Sequence, residues 1–538
     1  MKLSIIRNSI AWLCIIICTG LYAFIAWAQY ANMRNGIDLG TYTQILYNLS
    51  SFHSFPPYNS ILGTVAWGDH AHFVMILLAP LFALYPHDIT VIALQMLAVT
   101  TSAWALFDIA HRRFKNFFFS YAMLFSYLFF FGIQYALSFD VHANVFTAAA
   151  LAWLFWTYET KKYPLYWIIF GITLTTREDA ALFTGAFGFY AAVSNIILNW
   201  IQDPRRLPLH DPSPPPSPRT GEGKRQTLFL GALTLAISIA YFFIVNYAIM
   251  PPLQPNHTAL AYFDADTGIL LHPVKILQNM LDSSVKVRTI KNLFGSFGLL
   301  PLASPLTYLA AAPNLLARFL SGEQQRWDMK MHYSASLASI LSYGSILGTA
   351  MILRLVNFTI SRFRRFPLLT KEGLGEVSRD AAPPLTPPSK GGGATNAPLR
   401  SQLIITSLFA TLLLYGTYSV SLQDTDLPIR QLITNTNMSV NPYAQDMRNR
   451  LRELEQTIPQ SDSVATISSF VPVLATREKI YNFESITNAS TDWIILSNQF
   501  TAWPLSRADI NTAIHNMKQN LEYQQIEDAN GLFVFRKK

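Results

Sequence analysis

The chain has 538 residues, of which 51% are hydrophobic and only 13% charged, with a formal net charge of +8. That balance excludes an ordinary water-soluble globular protein and suits a chain that crosses a bilayer many times. Because much of the basic excess lies in short loops beside apolar segments, it reads as membrane topology, and nucleic acid is set aside as a partner.

Apolar residues gather into windows of about 15 to 23, near the roughly 20 that a helix needs to cross a hydrocarbon core. The first window, residues 9–28, follows Lys2 and Arg7 and ends on Ala26-Trp27-Ala28. This pattern fits either a cleavable signal peptide or an uncleaved first crossing. The two cysteines, Cys14 and Cys18, stand four apart on one helix, cannot form an ordinary disulfide and say nothing about compartment.

Lys and Arg in short loops are retained in the cytoplasm. The anchors are Lys2 with Arg7, Arg112-Arg113 with Lys115, Lys161-Lys162, Arg205-Arg206 with Lys224-Arg225, and Arg362 with Arg364-Arg365. Between the first two anchors lie three apolar pieces, 9–28, 72–85 and 89–110, whereas parity allows only an even number of crossings. The middle piece, short and broken by Pro80 with Pro86 just beyond it, is therefore expected as an interfacial or re-entrant helix on the outer face. Residues 117–137 then lead out and 143–160 back, 163–176 out and 180–200 back, 227–248 out and 289–304 back, 305–320 out and 334–357 back. A last helix at 402–420 leads outward.

Residues 207–226 and 366–400, rich in Pro, Gly, Ser and Lys, read as flexible cytoplasmic loops. The expected fold class is an all-α polytopic membrane domain over 1–420, with about 11 transmembrane helices and an outer-face interfacial helix. Residues 421–538 change character: helices near 444–457 and 506–520 alternate with strands near 463–469, 479–483, 492–497 and 531–536. That alternation predicts a small soluble α/β domain outside the cytoplasm.

With the sides set by basic residues alone, the remaining polar clusters fall on the outer face. They are Gly36 to Gly40 around Asp38, then Gly68-Asp69-His70-Ala71-His72, Asp140-Val141-His142, Arg177-Glu178-Asp179, and Glu323-Gln324 with Lys330 and His332-Tyr333. An outer loop needs only generic polar residues, so carboxylates, imidazoles and cations meeting at one membrane surface point to a site. Taken singly, Asp38 reads equally as a helix cap, and Asp140 or His142 as a helix end. Three consecutive charges at 177–179, without a Gly or Pro turn, are costly unless they are paired or line an aqueous cavity. Asp69, His70, His72, Asp140 and His142 also suit a divalent metal such as Mg, Mn or Zn, beside plain hydrogen-bonding roles, and their spacing decides neither.

The stretches Ile37-Asp38-Leu39-Gly40-Thr41-Tyr42, Gly68-Asp69-His70, Phe139-Asp140-Val141-His142, Arg177-Glu178-Asp179-Ala180-Ala181 and His332-Tyr333-Ser334-Ala335 resemble, in order and spacing, the domain-of-unknown-function family 2079 of predicted membrane proteins. The likeness runs over about residues 30–350 and into the tail at Ile458-Pro459 and Val471-Pro472. That family resembles the C-type glycosyltransferase superfamily, whose plan is an acidic residue in a long first external loop followed by interfacial helices.

The resemblance implies a multi-pass enzyme of the bacterial plasma membrane, with a cytoplasmic N-terminus and an extracytoplasmic C-terminal domain. It implies a polyprenyl-phosphate-linked sugar donor and a glycan, lipid or protein acceptor. Asp38 would be the general base of an inverting transfer, with Arg177 and Glu178 also catalytic. Asp69, His70, Asp140, His142, Asp179, Lys330, His332 and Tyr333 would bind substrate, and Arg177, Lys330 and His332 would meet the departing phosphate. The paired acids that superfamily members often carry are widely separated here, at Asp38 and Asp69, which leaves the metal open. A transporter or flippase for a lipid-linked or small polar substrate is the alternative, although no internal repeat is evident; a non-catalytic membrane assembly protein is a third.

Overall fold

Backbone N–H and C=O groups in hydrocarbon must be satisfied within the chain, so apolar windows of this length fold as helices. The computed structural model describes residues 2–202, 218–254, 269, 271–363, 397–434, 438–485 and 491–538. Residues 207–217 and 366–396 of the two polar loops lie outside the described residues, and the helices that follow begin at Pro218 and Ala397.

The architecture is mostly helical and polytopic. Ile5–Ala31, Asp88–Phe114, Arg225–Leu253, His332–Thr359 and Gln402–Ser421 are each long and apolar enough to cross a membrane. Phe117–Leu128 and Phe131–Ser138, bent by 41° at their break, add a sixth if taken as one span. The expected count of about 11 is higher because it also admitted shorter apolar windows, 143–160, 163–176 and 305–320 among them. Ala143–Glu159, Tyr163–Thr176 and Pro305–Phe319 are helices of only 17, 14 and 15 residues.

Between residues 284 and 319 the chain forms two helices joined by a short turn, so the crossing expected at 289–304 is not one continuous helix. Ser284–Gly295 carries Lys286, Arg288 and Lys291, and the 3-10 turn Leu300–Ala303 follows before Pro305–Phe319. Gly298 lies against Leu412, and Leu300 and Ala303 against Gly348, so the turn is embedded between two of the long helices. Small residues permit a similarly close approach elsewhere. Gly188 and Gly231 face each other across the Ala180–Gln202 and Pro218–Ile244 helices, where a methyl group on either would collide with the opposite backbone.

The piece expected at 72–85 is a helix over Met75–Leu84 with Pro80 inside it and Ile76, Leu77, Leu81 and Leu84 exposed. It packs on a second helix, Ile37–Ser50, that hydropathy did not reveal. Leu39, Tyr42, Leu46 and Leu49 are buried at helical spacing, but Thr43, Gln44 and Asn48 are buried beside them, so the polar residues hold the hydropathy of the segment down although nearly all of it is covered. The hairpin of β1 (Tyr58–Asn59) and β2 (Thr64–Val65) follows it.

The tail forms a five-stranded sheet from β3 (Val464–Thr466), β4 (Ile480–Asn482), β5 (Trp493–Ser497), β6 (Tyr523–Ala529) and β7 (Leu532–Lys537), in the order β4-β3-β5-β7-β6. The β3 strand runs parallel to β4 and β5, while β7 is antiparallel to β5 and β6. The helices Pro442–Thr457 and Arg507–Gln519 agree with the sequence reading, and Ser506 with Asp509 supplies a capping box for the second. The β6 strand was missed because, as an edge strand, it carries Gln524, Gln525, Glu527 and Asp528.

Sidedness is directly testable. Single cysteines at positions 38 and 178 are expected to react with a membrane-impermeant maleimide added outside intact cells, and one at position 113 only after permeabilisation. Labelling of 38 and 178 from opposite sides would break the topology.

Candidate active site at the outer face

Asp140 organises the first half of the site. Its carboxylate accepts the backbone N–H of Gly36 at 2.9 Å and the Asn35 side-chain amide at 3.2 Å. The carboxylate thus holds the start of the Ile37–Ser50 helix, where negative charge is favoured by the helix dipole. Gln95 fixes the Asp140 segment in turn, donating to the Asp140 carbonyl at 3.0 Å and accepting the His142 N–H at 2.6 Å.

Asp38, in the first turn of the helix so held, has a side chain 51% exposed and lies 3.8 Å from His142 Nδ1. The rings of His142 and His332 stack at 3.7 Å, and His332 contacts the Tyr333 ring at 4.3 Å. Among the described residues, His142 Nε2 and His332 Nδ1 are buried without hydrogen-bond partners.

The second half is built on Arg177-Glu178-Asp179, at the junction of Tyr163–Thr176 and Ala180–Gln202. Arg177 donates to Asn144 Oδ1 at 2.7 Å and to Glu178 at 3.2 Å, and lies 3.5 Å from Asp179. Glu178 also takes His70 Nδ1 at 2.9 Å and the Ala71 N–H at 3.1 Å. These partners explain how three adjacent charges are tolerated here.

Beside them opens a cavity enclosing about 810 Å³ of empty space, its mouth included. Arg177, Glu178, Asp179, Arg318, Arg326 and Tyr333 supply its ionisable lining, and Leu182, Phe183, Phe242, Pro313 and Ala317 its apolar wall. Asn246 enters the cavity from a π-helical turn, Val245–Ile249, a local feature often found at functional sites.

Burial dominates the titration of the first half. It raises Asp38 to about 6, with His70 pulling down and Asp69 pushing up. It also raises Asp140 to about 7, helped by the Asp38 charge and opposed by the Gly36 hydrogen bond. Burial and then Arg177 lower His142 to about 3, so its imidazole is neutral. For Glu178 burial works upward, yet His70 and Arg177 outweigh it and hold the carboxylate well below its usual range. The result is one firmly ionised acid and one pair of acids that titrate near neutrality.

Most of the residues expected from sequence therefore meet. Asp38, Asp140, His142 and His332 share one cluster; His70, Arg177, Glu178 and Asp179 share the other; Tyr333 joins them, and Asp69 is near enough to act on Asp38. Lys330 does not join. Its exposed amine pairs with Asp426 at 2.8 Å, and it is not among the residues that line the cavity. Among the described residues, no group of three or more His, Cys, Asp or Glu side chains is placed to hold a metal ion.

Arg318 is what the sequence reading overlooked. It is 3% exposed, lines the cavity, and among the described residues donates only to neutral acceptors: the Arg326 carbonyl at 2.7 Å, Ser334 Oγ at 3.1 Å, and Asn314 Oδ1 and the Asp328 carbonyl at 3.4 Å. The signal was present, since Arg318 is the lone charge in the apolar window 305–320.

A profile of the family described as "Predicted membrane protein (DUF2079)" matches residues 29–370 and 392–534. No curated protein matches the chain. Among solved structures, that of ArnT from Cupriavidus metallidurans bound to undecaprenyl phosphate aligns at 10% identity and a TM-score of 0.45, covering 97% of each chain. The apo structure of the same protein aligns at 10% identity and 0.46, covering 98% of each.

Proposed function

The chain belongs to the DUF2079 family of predicted membrane proteins, and from the site assembled here we propose that it is an integral-membrane glycosyltransferase. It moves a sugar from a polyprenyl-phosphate donor to an acceptor hydroxyl at the outer face of the membrane. One observation carries the reading: a cavity with three guanidiniums against two carboxylates at its polar end and an apolar wall behind them. That combination matches an amphiphile with an anionic head, and a buried Arg318 without a carboxylate partner asks for such an anion.

The chemistry follows from the two halves. Asp38 takes the proton of the acceptor hydroxyl as its oxygen attacks the anomeric carbon. The bond from that carbon to the phosphate oxygen breaks, its electron pair leaving on the polyprenyl phosphate. Arg318 and Arg177 hold the phosphate as its charge grows. Attack opposite the leaving group inverts the anomeric configuration. Asp140 and the His142–His332 stack set the position of Asp38.

The test is transfer of labelled sugar from a panel of polyprenyl-phosphate donors in membranes containing this protein. Asp38 must be ionised to act, and its pKa is raised to about 6. Turnover is therefore expected to be low at pH 5, to climb through about pH 6 and to level off above pH 7. The apparent midpoint belongs to the pair formed with Asp140. No donor consumed across the panel, or a rate that falls over this range, counts against the reading.

A further inference from the structure

We propose that the C-terminal domain positions the catalytic carboxylate, with Arg452 as the positioning residue that latches this domain behind the helix carrying Asp38. The term catalytic rests on the glycosyltransferase reading; the latch itself does not.

Arg452 lies on Pro442–Thr457 and divides its guanidinium between two structures. One amino group donates to Asp88 Oδ1 at 2.6 Å; the other donates to the Val473 carbonyl at 2.8 Å and to Glu455 at 2.7 Å. Asp88 is fully buried at the outer end of the Asp88–Phe114 helix, where His87 Nδ1 at 2.6 Å and the Tyr30 hydroxyl at 3.0 Å also reach it. A second arginine, Arg448, stacks on the Tyr30 ring at 3.5 Å and lies 3.9 Å from Asp88. A buried carboxylate of the membrane domain is thus neutralised from the tail.

Val473 belongs to the turn of helix Val471–Leu474, and Val471 rests on Gly40, two residues beyond Asp38. A Cβ on Gly40 would overlap the Val471 side chain, so only glycine admits this contact. Farther along, Gln44 donates to the Arg477 carbonyl at 3.1 Å and the Glu478 carbonyl at 2.9 Å. Asp140 therefore holds the front of this helix and the tail holds its back. Movement of a reacting group by about 1 Å is enough to cost on the order of a hundredfold in rate.

The experiment uses the full-length protein in nanodiscs with Cys14 and Cys18 replaced by Ala, and Gly40→Cys paired with Val471→Cys. Val471→Cys removes the Cγ1 that a Cβ at position 40 would meet, so the paired change avoids the overlap that Gly40→Cys alone would make, and closure is read directly from the oxidation. Fast closure under mild oxidation is expected, slowed about tenfold or more by Arg452→Gln, which removes charge-assisted hydrogen bonds. In turnover, Arg452→Gln is expected to lower kcat about a hundredfold with donor KM unchanged, and closing the disulfide in that variant to restore it. General destabilisation would not produce that rescue. Equal closure rates with and without Arg452 overturn the latch, as does slowed closure with kcat unchanged. A wild type inactive on every donor fails the glycosyltransferase reading alone, because the closure rates still decide the latch.

Discussion

Asp38→Asn is expected to lower turnover by about 10²–10⁴-fold while leaving donor binding within a factor of about two, the signature of losing a general base. The amide keeps the shape of the side chain but cannot take the acceptor proton. Because the variant keeps the size of the side chain and, among the described residues, no hydrogen bond of the Asp38 carboxylate ties it into the fold, stability should hold within about 0.5 kcal/mol. The pH profile supplies the internal check, since any residual rate in the variant should lose its rise through about pH 6. Single-turnover measurements with a radiolabelled donor separate the two constants. Turnover unaffected by this change removes Asp38 from the chemistry and transfers attention to Asp140, whose carboxyl is also pushed up toward neutrality.

The second large effect is expected at Arg318, and its two readouts run in different directions. Arg318→Gln should weaken polyprenyl-phosphate binding by about a hundredfold, because truncating one partner of a buried, hydrogen-bonded charge pair typically costs 2–5 kcal/mol. Thermal stability without ligand should stay within about 2 kcal/mol of wild type or rise. Removing a guanidinium that is 3% exposed relieves its desolvation, while Ser334, Asn314 and the carbonyls of Arg326 and Asp328 each lose one donor. A binding isotherm in detergent beside a thermal unfolding curve checks both. A steep loss of stability with unchanged lipid binding would make Arg318 a structural cation and leave the cavity without its anion. Lys330→Gln is a useful control: its amine is 56% exposed and paired with Asp426, so little change in either readout is expected.

The two halves also suggest a division of labour between paired and unpaired charge. Arg177 is flanked by Glu178 and Asp179, so its charge is largely matched inside the protein. Arg318 meets only neutral oxygens. An incoming phosphate therefore gains most from Arg318, while Arg177 orients it and fixes the loop through Asn144. The His142–His332 stack lies between Asp38 and Tyr333 of the cavity wall, so the base and the anion pocket are linked through two stacked imidazoles.

Some of this was determined by sequence alone, and the reason is that solvent is a strong local constraint. Hydrocarbon demands long apolar helices and places Lys and Arg at one side, so the polytopic plan and the placing of polar clusters on one face could be read residue by residue. Alternating α and β patterns in the tail were legible for the same reason, apart from the polar edge strand β6.

Tertiary structure alone decided what depends on partners distant in the chain. The Ile37–Ser50 helix buries Thr43, Gln44 and Asn48 against other segments, which no hydropathy window detects. Several apolar windows fold as helices over almost the expected residues yet, at 17, 14 and 15 residues, are too short to count among the long crossings. Lys330 and Arg318 differ because a charge acquires meaning from its neighbours: Asp426 pairs with the first, whereas among the described residues the second donates to neutral oxygens. A sequence states which groups carry charge; only the fold states which of those charges remain unanswered.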